Sequence, residues 1–127
     1  MKPGIELEHE ELTDKIIGCA IEVHKKLGPG FIESIYENAF IIELQRRGLP
    51  FERQKEVAIR YDGDEVGKHR LDLIVADTIV VELKAIRNIE DIHFVIVRSY
   101  LKALSKEHGL LINFSRKVLE VKRVIFK

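Results

Sequence analysis

The stretch of sequence that decides the fold is residues 70–86, RLDLIVADTIVVELKAI. Apolar and β-branched residues dominate its two halves, and a short turn around Asp77 separates them. Two strand-like segments joined by so short a turn are typical of adjacent antiparallel strands. The stretch therefore predicts a β-hairpin at the centre of a sheet.

Strand parity indicates which side chains meet in this hairpin, because residues two apart along a strand point to the same face. Taking residues 76–78 as the connection pairs Val75 with Ile79. The same register places Asp72 directly across from Glu82, with their Cβ atoms about 4.5 to 5.5 Å apart. Two carboxylates at this distance destabilise a sheet unless a positive charge lies between or beside them.

A divalent cation is one positive charge that suits this position. Mg²⁺ prefers oxygen ligands, typically one or two carboxylates with waters and phosphate oxygens, so Asp72 and Glu82 are candidate metal ligands. Lys84 lies on the same face one pleat beyond Glu82, within reach of the same phosphate or of an attacking water. This set is typical of metal-assisted phosphodiester hydrolysis, in which a cation activates water and a lysine offsets charge on the phosphoryl oxygens.

The spacing alone leaves a second interpretation open. In the same register Arg70 faces Lys84, so Arg70, Asp72, Glu82 and Lys84 form a surface ion-pair lattice without any chemistry. Ile74 and Val80 share the charged face, which indicates that part of this face is covered. A covered carboxylate pair needs a partner more strongly than an exposed one.

The flanking sequence predicts helices on the N-terminal side. Apolar residues recur at helical spacing over residues 12–27, with Thr13 or Asp14 at the N-cap and the Gly-Pro-Gly of residues 28–30 at the end. A second helix ends at Gly48. Its predicted apolar stripe, flanked by Tyr36 and Phe40, consists of Ile32, Ile35, Ala39 and Ile42.

Further strands and a helix complete the predicted domain. Residues 57–61 alternate as a strand, residues 88–104 favour a helix, and residues 109–114 are typical of a buried strand. Residues 119–126 alternate like a strand exposed on one side. The order of helices, three strands, helix and two strands predicts a single α/β domain over residues 1–127 with a mixed sheet.

Composition restricts the class of protein. With 46% hydrophobic and 33% charged residues the chain is typical of a compact globular protein, and its lone Cys19 is expected to be a small buried residue. No apolar run is long enough to span a membrane, and an N-terminus containing Glu6, Glu8, Glu10 and Glu11 does not resemble a signal peptide. We therefore expect a cytoplasmic protein. The five histidines lack zinc-site spacing, and neither a P-loop nor a serine nucleophile elbow is present.

The distribution of charge bears on nucleic-acid binding. The 21 basic and 21 acidic residues give a net charge of zero, which argues against binding by phosphate neutralisation alone. From Arg98 onward, however, eight basic residues stand against two acidic ones, which offers a phosphate-facing surface. These basic residues are Arg98, Lys102, Lys106, Arg116, Lys117, Lys122, Arg123 and Lys127.

The motifs resemble those of a known family. RLDLIVAD followed by IVVELKAI is similar to the core motif of the PD-(D/E)XK nuclease superfamily, and LGPGFIESIYENAF resembles the opening motif of its small GxxExxxY-type proteins. YLKAL, GLLINF and LEVKRVI also resemble that group, so the resemblance covers about residues 12–125. The matching positions are Gly30, Glu33, Tyr36, Asp72, Glu82 and Lys84.

The resemblance implies a restriction-endonuclease-like α-β-β-β-α-β core, with a mixed central sheet flanked by helices. It further implies that Asp72 and Glu82 bind Mg²⁺ or Mn²⁺, that Lys84 assists hydrolysis, and that Glu33 completes the site from an early helix. The alternative interpretation of Glu33 is a solvated helix residue near Glu37. Three departures from the family pattern are the spacing of Tyr36 three residues after Glu33, Ile96 in place of a frequent glutamine, and Leu71 in place of a proline.

The leading hypothesis is a small metal-dependent nuclease, with DNA expected more than RNA as substrate and the basic C-terminal quarter as the approaching surface. The exposed final strand is a candidate edge for a homodimer. A different class stays open: a non-catalytic nucleic-acid-binding or regulatory module on the same fold, which does not need Lys84. A purely structural assembly protein is the third hypothesis, and it predicts no salt-dependent affinity for a polynucleotide.

Overall fold

The computed structural model describes residues 9–127, so Glu6 and Glu8 lie outside the described part of the chain. Three helices and five strands follow one another in this part. Their order is α1 (Glu10–Leu27), α2 (Glu33–Arg46), β1 (Phe51–Tyr61), β2 (Asp64–Val75), β3 (Ile79–Lys84), α3 (Asp91–Leu104), β4 (His108–Asn113) and β5 (Glu120–Ile125).

The strands form one mixed sheet in the order β1-β2-β3-β4-β5. β3 and β4 run parallel, and every other neighbouring pair is antiparallel. α3 connects the parallel pair, because parallel neighbours need a long crossover connection. The elements from α2 to β4 therefore have the α-β-β-β-α-β order of a restriction-endonuclease-like core, and the predicted α/β class is confirmed.

Helices cover both faces of this sheet. α1 and α2 pack on one face, against a cluster that includes Leu73, Val75 and Val81. α3 packs on the other face, against Ile74 and Val80. Burying each side chain of this size contributes about 1.5 to 3 kcal/mol. Cys19 is a fully buried member of the first cluster, as the sequence predicts.

The predicted apolar stripe of α2 is wrong. Tyr36, Phe40 and Leu44 are fully buried, whereas Ile32 and Ile42 are 67% and 48% exposed. The buried residues are four apart, so they share one helix face. The helix is rotated toward its aromatic side chains because these bury the larger apolar area.

The helix starts also differ in detail from the sequence-based expectation. α1 begins at Glu10, and Thr13 is buried in its first turn instead of serving as the N-cap. α3 begins with a capping box, in which Glu90 and His93 satisfy each other's backbone N–H groups. Ile96 is partly buried and packs into the α3 side of the core. No helix in the described part of the chain is both long and apolar enough to cross a membrane.

The hairpin connections set the register of the sheet. Ala76 and Asp77 have left-handed φ angles of 52° and 50°, and this tight connection pairs Val75 with Ile79, as predicted. The turn between β1 and β2 lies at Asp62 and Gly63, beyond the edge of the core. Every residue from position 61 to position 70 is exposed, so the outer part of this hairpin projects as a two-stranded ribbon.

Candidate active site

The candidate site lies where β2 and β3 separate. The backbone ladder between these strands reaches Leu73, which is paired with Val81. One residue further, side chains replace the ladder: the Asp72 N–H donates to Oε1 of Glu82 at 2.9 Å, and the Leu83 N–H donates to Oδ2 of Asp72 at 2.9 Å. Each carboxylate is therefore held by the backbone of the opposite strand.

The alternation of β2 is broken at Asp72. Leu73 and Val75 pack on the side of α1 and α2, but Leu71 packs on the α3 side, so the expectation that residues two apart share a face is wrong at Leu71. Across from Asp72 in β1, Gln54 has a φ of 52°, and the ladder skips this pair although the register is the same on either side of it.

The ionised forms of the two acids are unfavourable in this place. Desolvation first, and then repulsion from Asp72, raises the pKa of Glu82 from 4.5 to about 8. Desolvation likewise raises the pKa of Asp72 from 3.8 to about 6. The backbone N–H groups and the Lys84 ammonium act in the opposite direction, but they do not reverse either rise in pKa. A bound cation would favour the charged forms of both acids.

Each of these carboxylates keeps one oxygen for a ligand. Their hydrogen bonds use Oδ2 of Asp72 and Oε1 of Glu82, and no donor within the described residues contacts Oδ1 or Oε2. Throughout the described chain every deeply buried side-chain nitrogen or oxygen has a hydrogen-bond partner, so the two remaining oxygens lie where solvent reaches them. A pair of open carboxylate oxygens fits Mg²⁺ or Mn²⁺, which keep waters beside a few protein ligands.

Lys84 and Glu33 lie beside the carboxylate pair. The half-buried Lys84 ends β3, and its charge opposes the rise in the pKa of Glu33, Asp72 and Glu82. Desolvation is the main cause that raises the pKa of Glu33 at the start of α2. The acids do not form a ready three-ligand set, because no three His, Cys, Asp or Glu side chains in the described part could hold an ion together.

The alternative ion-pair lattice is absent from the described part of the chain. Glu82 is only 5% exposed, so it is not a surface residue. Among the described residues no ion pair joins Arg70 or Lys84 to Asp72 or Glu82. The two acids are held by backbone N–H groups instead of by cationic side chains.

A buried polar cluster that the sequence did not reveal connects α2 to β1. Glu37 is 7% exposed and accepts from Nε and Nη2 of Arg53 at 3.2 and 2.9 Å, and from Nε2 of Gln54 at 2.9 Å. Glu37 lies one turn after Glu33, and Gln54 lies opposite Asp72. The cluster therefore fixes the start of α2 relative to Asp72, where the side-chain alternation of β2 is broken. Its sequence signal is an acidic residue next to Tyr36, among the buried side chains of α2.

Asn113 is a second residue that the sequence reading missed. It is fully buried and pairs with Lys84 in the parallel ladder. Its Oδ1 accepts from the N–H groups of Ile86 at 3.0 Å and Ser115 at 3.3 Å, and its Nδ2 donates to Ile86 O at 2.8 Å and Glu120 Oε1 at 2.9 Å. The amide thus ties together the segments that follow β3 and β4. In the sequence, the signal for this role is a polar residue at the end of an apolar strand.

Both tyrosines of the predicted motifs have structural partners. Tyr36 donates its hydroxyl to the Gly28 carbonyl at 2.6 Å and stacks on Phe114 with ring centroids 4.6 Å apart. Tyr100 donates to the Arg70 carbonyl at 3.3 Å. Burial, followed by the charges of the two site carboxylates, raises the pKa of Tyr100 to about 12, so this side chain lies near the site.

The basic C-terminal quarter is spread over several elements. Lys106 pairs with Asp77 at 3.5 Å, and Arg123 pairs with Asp14 at 3.8 Å. Arg116 instead lies in the segment between β4 and β5. These basic residues therefore differ in their availability to a phosphate.

The sheet and its site together define a class of protein. A mixed sheet between helices, with two acids and a lysine where neighbouring strands part, is a nuclease-type α/β fold. A family model described as the PD-(D/E)XK nuclease superfamily matches residues 10–124, and the chain belongs to that superfamily. Nucleases of this superfamily generally use divalent metals and act on nucleic acid.

A solved structure supports the fold. The crystal structure of a protein named SSO0001 matches with a TM-score of 0.58 and 21% sequence identity. The match covers 92% of this chain and 58% of that chain, so this chain spans little more than half the length of the other. No curated protein matches the sequence.

Proposed function

We propose that this protein is a divalent-metal-dependent nuclease in which Asp72 and Glu82 hold Mg²⁺ or Mn²⁺. The observation that carries the proposal is the carboxylate pair across the gap between β2 and β3, with one oxygen of each acid open to solvent. Burial of both acids, together with the repulsion of Glu82 by Asp72, makes this pair unfavourable when it is ionised without a counterion. A bound divalent cation supplies an activated water and neutralises charge on the scissile phosphate.

Lys84 supports hydrolysis by its position next to both acids. During the reaction a water loses a proton and its oxygen bonds to phosphorus, while the P–O bond to the leaving oxygen breaks and that oxygen takes up a proton. Negative charge develops meanwhile on the phosphoryl oxygens. An ammonium group in a partly desolvated site stabilises that charge more than it would in water. Lys84 is half-buried and its charge reaches both acids, which supports this role.

Glu33 has an auxiliary role in the proposal. It lies outside any ready three-ligand set, and its strongest charged neighbour is Lys84. We assign it to orienting the Lys84 ammonium and the water around it. On Gly30, Glu33 and Tyr36 we also assign the chain to the small GxxExxxY-type proteins of the superfamily.

The superfamily supports a nucleic-acid substrate, and we infer DNA in preference to RNA from the same resemblance. A homodimer through β5 is a further prediction, because β5 is the last strand of the sheet and its outer edge has no strand beside it in the described part.

The test is a cleavage assay on labelled single- and double-stranded DNA and RNA, with Mg²⁺ or Mn²⁺ titrated into metal-free protein. We expect cleavage that requires the metal and is lost in Asp72→Asn and Glu82→Gln. Lys84→Ala should still bind but cleave about 100-fold more slowly. Lys25→Ala, which removes an exposed cation on α1, is the matched control and should cleave like the wild type.

Two results would contradict the proposal. One is cleavage that persists in Glu82→Gln or in the presence of excess chelator. The other is metal-independent binding of nucleic acid without cleavage under any ion, which would assign the fold to a non-catalytic binding module.

A further inference from the structure

The ends of the two parallel strands create a groove beside the candidate site. The segments that follow β3 and β4, residues 85–90 and 114–119, meet at this edge of the sheet. A groove between them is lined by Arg87, Asn88, Ser115 and Arg116. In open α/β sheets ligands bind outside the carboxyl ends of parallel strands, so the position is a common one for a binding site.

The groove is held in shape by buried and interlocking hydrogen bonds. The fully buried Asn113 amide bonds to both segments. The Phe114 N–H donates to the Lys84 carbonyl at 2.9 Å, Arg116 Nη1 donates to Asn88 Oδ1 at 3.0 Å, and His24 Nε2 lies 2.8 Å from the Arg116 carbonyl. A pocket fixed in this way loses little conformational freedom when a ligand binds.

The chemistry of the lining suits an anion. The residues that line it carry two guanidinium groups, an amide and a hydroxyl, and no acid is among them. Within the described residues neither Arg87 nor Arg116 has an ion-pair partner, unlike Lys106 and Arg123. Guanidinium groups match phosphate oxygens in a two-pronged geometry, which makes arginine pairs well suited to phosphodiesters.

We propose that this groove, the Arg87–Arg116 groove, binds a phosphodiester of the substrate strand close to the one that is cleaved. The proposal rests on the nuclease function proposed above. Arg87 follows Lys84 by three residues, which span at most about 10 Å of chain. That reach corresponds to about one to three nucleotides at roughly 3.4 Å each along a strand. The groove would thus position the strand, while Asp72, Glu82 and Lys84 act on the scissile bond.

The test measures binding of a labelled DNA oligonucleotide to metal-free protein over a range of salt concentrations. We expect Arg87→Ala and Arg116→Ala each to weaken binding roughly tenfold and to reduce the slope of log K against log salt by about 0.7 to 0.9. Arginine-to-lysine variants at these positions should keep the slope but lose part of the affinity, because they keep the charge and lose the fork geometry. Lys25→Ala, which removes an exposed cation on α1, is the matched control and should keep both the affinity and the slope of the wild type.

The outcomes separate this proposal from the nuclease proposal. If the wild type binds and both alanine variants keep its affinity and slope, the groove is refuted even when cleavage is normal. If both slopes fall but no ion supports cleavage, the groove stands and the nuclease proposal fails. A wild type without salt-dependent binding refutes the groove as well. Mg²⁺-induced thermal stabilisation should be unchanged in both arginine variants, which shows that they fold and keep the metal ligands.

Discussion

Glu82→Gln should make the metal-free protein more stable at alkaline pH. The rise in the pKa of Glu82 from 4.5 to about 8 means that the ionised side chain is unfavourable by on the order of 5 kcal/mol in the folded state. Glutamine keeps the shape and an oxygen that accepts the Asp72 N–H, but its buried amide costs about 1 to 3 kcal/mol. We therefore expect the free energy of unfolding to increase by about 2 to 4 kcal/mol near pH 9.

The pH dependence follows from the direction of this pKa change. Because the folded pKa of Glu82 lies above the unfolded value of 4.5, the folded state binds more protons between pH 4.5 and about 8. The stability of the metal-free wild type should therefore fall as the pH rises through that window, and Asp72 adds to the fall between 3.8 and about 6. The advantage of Glu82→Gln should disappear toward about pH 4.

The assay is urea unfolding followed by far-UV circular dichroism, since the chain has no tryptophan. Adding Mg²⁺ should stabilise the wild type and have little effect on Glu82→Gln. Glu43→Gln is the matched control: Glu43 is also buried, but it contacts Arg46 at 3.0 Å and Lys26 at 3.7 Å. Its removal should lower stability or leave it unchanged. A comparable loss of stability in Glu82→Gln near pH 9 would refute the argument from burial and repulsion.

Three further changes test the packing around the site. Gly109→Ala should lower the free energy of unfolding by about 1 to 3 kcal/mol, because the added Cβ would lie 2.8 Å from Cγ1 of Val97. The measurement is the midpoint of urea unfolding, and an unchanged midpoint would disprove this close contact. Asn113→Ala should lower the free energy of unfolding by about 2 to 4 kcal/mol, because the backbone N–H and carbonyl of Ile86 lose their partner. Unaltered hydrogen exchange of the Ile86 amide in this variant would contradict the expectation. Tyr36→Phe removes the hydroxyl but keeps the ring stack, so it should lower the free energy of unfolding by about 1 kcal/mol. Tyr36→Ala should lower it by about 3 to 5 kcal/mol. An equally large effect of Tyr36→Phe would show that the stack is not retained.

The central hairpin could be predicted because its geometry is local. A three-residue connection leaves one register that pairs Val75 with Ile79, and this pairing is observed. That register also brings the residues at positions 72 and 82 next to each other, since side chains in a strand alternate with a period of two. The class of fold followed from the order of elements, because a strand-helix-strand unit with short links produces a parallel pair.

Other features could not be predicted because they depend on distant contacts. The rotation of α2 depends on how Tyr36 and Phe40 fit the sheet, and periodicity alone favoured its isoleucines. The break at Asp72 lies opposite Gln54, whose left-handed φ nothing in its immediate sequence suggests. In the sequence Asn113 resembles an ordinary polar residue at the end of a strand. Its role depends on bonds to two segments that come together only in the folded chain.

The projecting ribbon of β1 and β2 lies outside the core of the domain and does not include the candidate active site. Both sides of residues 61–67 face water, and two strands without a covering layer are only marginally stable. Amide hydrogens there should exchange at opening free energies well below that of the whole domain, while Leu73 exchanges only on global unfolding. Gly63 is consequently a place where a peptide tag or a dye can be inserted without disturbing either acid.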